Sequence, residues 1–396
     1  MTFSLPLTQI DDALLESLRA DHVREGRQLD YKETLPGARD DDKREFLSDV
    51  TSFANAAGGD IIYGLRERRE EGKPTAEIEA VVGLPNLNVD FERLRLEAMI
   101  RDGVAPRMPP VTLHEIRRAS GTSCLLLRVP RSWAGLHMVT LGNLSRFYSR
   151  TSGGKYQLDV YEIRAGFLAA EMAYERLRSF RNERVAQVLA LQTPAPTAEG
   201  PKLILHALPV NSEEVWPRIQ ALRNEDLINA LPIIGGTVSD FRFNLDGFVL
   251  HTLRNDLSSQ CYTQLLRSGG VEAVSGGALV KGERGGFYGT SMEKTLIGVV
   301  DRLRQFWGSV GVTPPLLVGL TLTGVRGWKV LHSPYWYNDL DGTVDRDVVA
   351  VPEVVLSDPA IDTDVLLRPI FDFVWNGGGW AGSPNYRDGR WVEPRR

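Results

Sequence analysis

The alternation of apolar and polar positions splits the chain into two runs of elements, one ending near residue 191 and one starting near 201. In the first run, Leu29 and Tyr31 alternate with Gln28, Asp30 and Lys32. That is the period of a half-buried strand with its charges on the open face. Asp42, with Glu45 three residues later, predicts a capping-box helix start. Phe46, Val50, Phe53 and Ala57 then recur at helical spacing and give the helix one apolar face. Gly58-Gly59 stops it, because glycine tolerates the left-handed conformation, and residues 60–64 read as a short apolar strand. The unit is strand, helix, strand, with acidic residues at both strand ends.

Around this unit, residues 7–21 predict a short amphipathic helix with Ile10, Leu14, Leu15 and Leu18 on one side. Residues 66–80 are charged, contain Pro74 and predict an exposed hairpin loop. Residues 90–100 predict a second helix with Phe91, Leu94, Ala98 and Met99 aligned. Residues 111–116 and 124–129 predict strands, the second apolar enough to be central. An irregular loop over 131–139 carries Trp133 and His137, which either stack on a base or pack the loop. A strand over 146–150 leads into Thr151-Ser152-Gly153-Gly154-Lys155, and 160–191 predicts a long helix with Arg176, Arg178, Arg181 and Arg184 towards one side.

Residues 193–201 are a linker by composition. Beyond them, 203–208, 248–252, 262–267, 317–322 and 348–356 read as strands, and 215–223 and 292–307 as helices. Strands with long irregular connections imply an α+β domain with a mainly antiparallel sheet. The expected division is 1–158, a connecting helix over 159–191, and 201–396. His206 and His251 lie in apolar strands and are expected as hydrogen-bonded core residues. The glycines around Gly276, Gly285 and Gly377 lack phosphate-loop spacing, and no G-x-x-x-x-G-K-[ST] occurs, which leaves an ATPase unsupported.

The 396 residues suffice for two or three cores, and 42% hydrophobic with 24% charged residues is the balance of a soluble protein. The longest apolar stretch, near 316–325, is about half a membrane span. Residues 1–6 lack signal-peptide character. Cys124 and Cys261 have no metal-ligand neighbours, and Cys124 precedes Leu125-Leu126-Leu127, so buried free thiols and a cytoplasmic location are expected. The net charge of −5 hides an asymmetry: residues 1–100 carry 13 Lys and Arg against 21 Asp and Glu, whereas 101–190 carry 14 against 7. Carboxylates followed at once by basic residues suit a site where acids sit beside phosphate contacts, although solvated faces account for the same charges.

Glu25-x4-Asp30-Tyr31-Lys32, joined to Ser52-Phe53-Ala54-Asn55-Ala56-Ala57-Gly58-Gly59-Asp60-Ile61-Ile62-Tyr63-Gly64, resembles the AlbA-type domain of the Schlafen family. The similarity continues through Pro106-Arg107, Arg131-Ser132-Trp133, His137-Met138-Val139 and Phe147-Tyr148-Ser149-Arg150, about the first half of the chain. In the Schlafen ribonucleases the corresponding blocks hold three carboxylates around a divalent cation. The resemblance thus implies Glu25 and Asp30 as metal ligands, with Mn2+ or Mg2+ supplying activated water and neutralising charge. The third acid of the family follows the Gly-hydrophobic pair; here Gly64-Leu65 is followed by Arg66 and only then Glu67, with Asp60 the alternative. Lys32 is expected to contact the scissile phosphate or to neutralise Asp30. Arg107, Arg131, Arg146, Arg150 and Lys155 are the expected phosphate contacts.

Two functions follow from the resemblance. One is a metal-dependent endonuclease acting on RNA ahead of DNA, on tRNA-like structures, in antiviral defence. The other is a non-catalytic DNA-binding module or transcriptional regulator. Animal Schlafen nucleases pair two such lobes, and this chain has one, so a homodimer is the expected assembly, with the C-terminal domain free to meet a protein partner.

Overall fold

The computed structural model describes all residues except 1–4, 6, 143–144, 198, 211–214, 253–259, 280–283, 313, 333–339 and 394–396. The class is α+β, in two compact units, residues 1–172 and 173–396.

The first unit opens with a 3-10 turn (Leu7–Gln9) and α1 (Asp12–Ala20), where Leu14 N donates to the Asp11 cap at 2.9 Å. Strand β1 (Leu29–Lys32), α2 (Asp40–Ala54) and β2 (Gly59–Tyr63) then form the strand–helix–strand unit, and β1 pairs with β2 in parallel. A parallel pair needs a long crossover, and α2 supplies it. The helix starts two residues before the expected cap. Arg39 is the N-cap without a side-chain bond, and Asp40, Asp41 and Asp42 fill the first turn, where the helix dipole favours negative charge. Gly58 takes φ 68°, and a Cβ on Gly59 would lie 2.4 Å from the Phe53 ring. The two glycines therefore answer different needs, a left-handed turn and a close approach.

Residues 66–80, expected as an exposed hairpin loop, form a two-stranded ladder with two register shifts. Strands β3 (Leu65–Glu70) and β4 (Lys73–Val81) pair antiparallel through a tight turn at Glu71 and Gly72, both at positive φ. Helix α3 (Val89–Gly103) buries Leu96, Ile100 and Gly103 and leaves Phe91 and Leu94 exposed, so its inward face is rotated from the predicted one. Strands β5 (Val104–Ala105), β6 (Thr112–Arg117), β7 (Ser123–Val129), β8 (Met138–Val139), β9 (Arg146–Thr151) and β10 (Gly154–Gln157) follow. Two four-stranded sheets result, β1-β2-β7-β6 and β10-β9-β8-β5. One core, with Phe46, Val50, Phe53, Ile61 and Leu127, lies on the α2 face of the first sheet. A second, with Ile10, Leu15, Tyr31, Ile62 and Leu126, lies on the α1 face.

Helix α4 (Val160–Leu189) contains the division between the units. In the second unit come β11 (Lys202–Pro209), α5 (Val215–Gln220), α6 (Asn224–Ala230), β12 (Asp240–Phe243), β13 (Gly247–His251), β14 (Cys261–Leu266) and β15 (Val271–Ser275). Next are β16 (Gly286–Tyr288), α7 (Gly289–Val310), β17 (Leu316–Thr323), β18 (Lys329–Leu331), β19 (Val348–Ala350), β20 (Val354–Leu356) and α8 (Thr363–Gly377), then β21 (Tyr386–Arg387) and β22 (Arg390–Trp391). The expected single strand over 348–356 is broken around Pro352, which cannot donate to a ladder. The main sheet is antiparallel, in the order β12-β13-β14-β15-β11-β17-β19 with β20 also on β17. Leu203, Leu205 and Ala207 face the core that takes Leu296, Val300, Leu303 and Trp307 of α7. Ile204 faces the other way, onto Val188 of α4. Ala195, inside the segment expected as a linker, is buried there too, and Arg242 Nη2 donates to Pro194 O at 2.6 Å.

Glu272 sits on that α4-facing side and is fully buried. It accepts from both Arg184 Nε (2.9 Å) and Nη2 (2.7 Å) and from the Tyr262 hydroxyl (2.9 Å), with His206 Nε2 at 2.9 Å. Burial alone would raise its pKa, but Arg184 and His206 outweigh that and hold it at about 2, below the ordinary 4.5. The stability this group contributes is therefore complete above its unfolded pKa and is lost as the pH falls from there towards 2. Glu272→Gln leaves the buried Arg184 only Asp246, 3.4 Å from its Nη1, as a carboxylate partner among the described residues. Urea unfolding at pH 7 should show a loss of about 3 kcal/mol and a shallower acid-induced decline than in the parent protein.

Candidate active site

The parity of β1 decides which side chains meet. Asp30 pairs in register with Ile61, so it shares the α2 face, whereas Asp60 pairs with Leu29 and lies on the opposite face. On the α2 side, Asp30 is buried and receives Tyr31 N at Oδ1 (3.0 Å) and Arg150 Nη1 at Oδ2 (3.1 Å), with Lys32 Nζ 3.5 Å from Oδ2. Arg150 is itself buried; its Nε donates to Gly26 O at 3.0 Å, and its guanidinium lies 4.4 Å from the Phe53 ring centre. Lys32 Nζ continues to Asp49 Oδ2 at 3.3 Å, and Lys155 Nζ closes the row on Asp49 Oδ1 (2.8 Å), Glu45 Oε1 (2.7 Å) and Ser48 Oγ (2.7 Å). Charges thus alternate from Arg150 through Asp30, Lys32 and Asp49 to Lys155. Burial lowers the Lys32 pKa, but Asp49 and Asp30 more than compensate and keep the ammonium charged.

Glu25, in the turn before β1, bends back so that its Oε1 accepts Tyr31 N at 2.8 Å, the same N–H that Asp30 Oδ1 accepts at 3.0 Å. Burial and then Asp30 push the Glu25 pKa well above the usual carboxylate range. Burial acts upwards on Asp30 too, but the Glu25 hydrogen bond, Arg150 and Lys32 hold it below its ordinary value. The pair opens into a pocket of ≈ 400 Å³ that Lys32, Arg66, Glu67 and Arg69 also line. Glu67 faces that pocket with its Oε1 accepting Ala76 N at 2.8 Å.

The structure thus brings together Glu25, Asp30, Lys32 and Glu67, with Arg150 and Lys155 in the charge row behind them. Asp60 is not among them: it forms a two-pronged pair with Arg128 (2.8 and 3.0 Å) on the other face of the sheet. Arg107, Arg131 and Arg146 are exposed; Arg131 stacks on Trp133 at 3.7 Å and Arg146 donates to Gln157 at 3.0 Å. His137 packs the loop, with Nδ1 2.9 Å from Pro106 O. Asn55 earns its place structurally, donating to His137 O and Tyr148 O and accepting His137 N, each at 2.8 Å.

Sequence reasoning missed Glu45, Ser48 and Asp49. Glu45 and Asp49 stand four apart on α2, a spacing that puts both on one edge of the helix beside its apolar face.

Among the described residues no three Asp, Glu, His or Cys side chains converge to cage a metal ion. Two hard oxygen donors in an open pocket are nonetheless what Mg2+ takes, because it keeps waters and fills its coordination with phosphate oxygens. The chemistry of the donor pair fits a divalent cation shared with substrate.

Residues 25–159 match the family model "Schlafen, AlbA_2", so the N-terminal region carries a Schlafen AlbA-like domain. Residues 371–392 match two copies of the WXXGXW repeat. The copies run Trp375 to Trp380 and Tyr386 to Trp391, and the spacing is visible in the sequence. Trp375 Nε1 and Trp391 Nε1 both donate to the buried Glu293, at 2.7 and 2.8 Å. No curated protein matches the chain. Among solved structures, the chain is similar to the DIP2311 protein of Corynebacterium diphtheriae, at 19% identity and TM-score 0.25, over 37% of this chain and 29% of that one. It is also similar to the N-terminal domain of a RecG-related protein from Nitrosomonas europaea, at 22% identity and TM-score 0.22, over 30% of this chain and 72% of that one. The chain therefore spans less than a third of the first of these proteins. No helix among the described residues is long and apolar enough to cross a membrane.

Asp60→Asn strips Arg128 of its buried counter-charge. It should cost about 3 kcal/mol in chemical denaturation. An Asp60→Asn protein as stable as the parent would show that the pair is not structural.

Proposed function

We propose that the N-terminal unit is a metal-dependent nuclease that cleaves a nucleic-acid backbone, with RNA the first substrate to test. The observation that carries this reading is the Glu25–Asp30 pair, both carboxyls gathered on Tyr31 N and lining one pocket beside the ammonium of Lys32. Perturbed acids gathered in a cleft with cations are a common property of hydrolytic sites. Glu25 and Asp30 would hold the cation, which when bound supplies an acidified water and neutralises phosphate charge. Arg150 keeps Asp30 ionised and aimed into the pocket. Lys32 presents positive charge to the same opening, where it stabilises negative charge building on a phosphate. The Schlafen AlbA_2 match supports a nucleic-acid role, and defence against viruses is the biological setting the resemblance implies.

A second reading, a binding module without chemistry, draws on one observation: Asp30 already receives Arg150, Lys32 and a backbone N–H, and Glu67 is engaged by Ala76 N, so that among the described residues no three acids cage a cation. The test uses pure protein with labelled single-stranded RNA and DNA, in Mn2+ or Mg2+ and in chelator. The nuclease reading expects metal-dependent cleavage that Asp30→Asn lowers by at least about 100-fold while affinity holds or rises, since a lost carboxylate no longer repels phosphate. Equal cleavage by parent and Asp30→Asn, or none by either, overturns it.

A further inference from the structure

The wall of the pocket opposite the acid pair is the β3–β4 hairpin, and its geometry is irregular only where it meets the pocket. Leu65 and Arg66 pair in register with Val81 and Ala80, and Arg69 and Glu70 pair with Pro74 and Lys73. Between these regular ends the register shifts twice, at Arg66/Glu67 and at Glu67/Arg69. A strict ladder would send Arg66 and Glu67 to opposite faces; with the shifts, Arg66, Glu67 and Arg69 all line the pocket. Across the ladder, Ala76 holds φ 60°, a left-handed conformation that a residue with a Cβ seldom adopts. It is also the residue that ties the hairpin down. Its N–H donates to Glu67 Oε1 and its carbonyl accepts Glu25 N, each at 2.8 Å. Backbone strain and broken register both fall beside the acid pair, where such features ordinarily serve function.

Three cations line this pocket, and two are engaged. Lys32 lies between Asp30 and Asp49, and Arg66 donates twice to Glu33, at 3.1 and 2.9 Å. Arg69 is exposed and has no carboxylate partner among the described residues. A guanidinium with its donors unspent, at the mouth of an acid-lined pocket, suits a phosphate group.

We propose that the β3–β4 hairpin is the arm on which a nucleic-acid strand lies, with Arg69 binding a backbone phosphate next to the Glu25–Asp30 pair. This rests on the nucleic-acid reading above, but not on cleavage. The arm replaces, as the phosphate contact nearest the acids, Arg150 and Lys155, whose charges are paired with Asp30 and with Glu45 and Asp49.

The test is fluorescence anisotropy of the full chain with a labelled single-stranded RNA, in chelator, across a salt series. Arg69→Ala should weaken binding roughly tenfold and lower the salt slope by about 0.7, one phosphate contact on a single strand. Arg69→Glu should weaken it further. Arg101→Ala, an exposed cation of α3 absent from the pocket, should match the parent, and thermal melts should show all three variants folded. Parent-like affinity and slope in Arg69→Ala overturn the arm while leaving the acid pair standing. Binding that depends on Arg69 in a protein that cleaves nothing supports the arm and removes the nuclease reading. A parent protein that binds no RNA overturns the arm together with the nucleic-acid reading.

Discussion

The buried guanidinium of Arg150 is the constraint on which the N-terminal unit turns. A buried cation must be paired and hydrogen-bonded or its desolvation cost goes unmet. Arg150 meets that need with three partners from three places in the chain: Asp30 on β1, the Gly26 carbonyl in the preceding turn, and the face of Phe53 on α2. Each contact fixes something else. The Gly26 bond sets the turn that carries Glu25. The Asp30 bond holds that carboxyl below its ordinary pKa, beside Glu25, whose own is raised. The Phe53 contact seats β9 against the end of α2, where Asn55 fastens the same strand through Tyr148 O.

How much of this was legible in the sequence depends on the range of the interaction. Period-two alternation puts Asp30 and Lys32 on one face, and the apolar face of α2 and the two roles of Gly58-Gly59 are equally local. Asp60 was legible as an acid near a strand end but not as a residue of the wrong face, because that depends on the β1–β2 register. One residue of phase separates a pocket acid from the partner of Arg128. Arg150 and Lys155 were expected at a phosphate surface. Their partners lie more than 100 residues away in sequence, and nothing local announces that both are consumed internally. The face of α3 was misjudged because Phe91 and Leu94 are large and apolar yet exposed, while Leu96 and Ile100 form the inward stripe.

The second unit shows the same division between local pattern and distant pairing. Its strands and α7 follow from apolar runs, and the antiparallel sheet follows from them. The burial of two arginines of α4, Arg181 and Arg184, does not, since a helix with regularly spaced arginines ordinarily keeps them in water. Their partners are Glu272, Thr321 and main-chain carbonyls of the sheet, and only the folded sheet assembles them. The WXXGXW copies are legible by spacing, and the structure supplies their physical reason: two indoles and Asn385 converge on the buried carboxylate of Glu293, giving it donors in place of water.

The displaced acid at the start of β3 is where sequence and structure bear most directly on each other. By resemblance, the residue after Gly64-Leu65 would be a carboxylate, and here it is Arg66, bound to Glu33. In a regular strand this exchange would turn Glu67 away from the pocket. The register shift restores its aim, and the strained Ala76 receives it, so the local irregularity compensates for a one-residue displacement in sequence. The compensation is incomplete, because Glu67 takes a backbone N–H rather than joining Glu25 and Asp30. What remains is a pocket in which Glu25 and Asp30 adjoin while Glu33, Glu67 and Glu79 line its other walls, with the Arg69 guanidinium added. A cation held there, on the nuclease reading proposed above, would draw on substrate phosphate more than on protein ligands to complete its coordination. On that same reading, substrate binding and cation binding would be mutually dependent, as each would supply charge that the other needs.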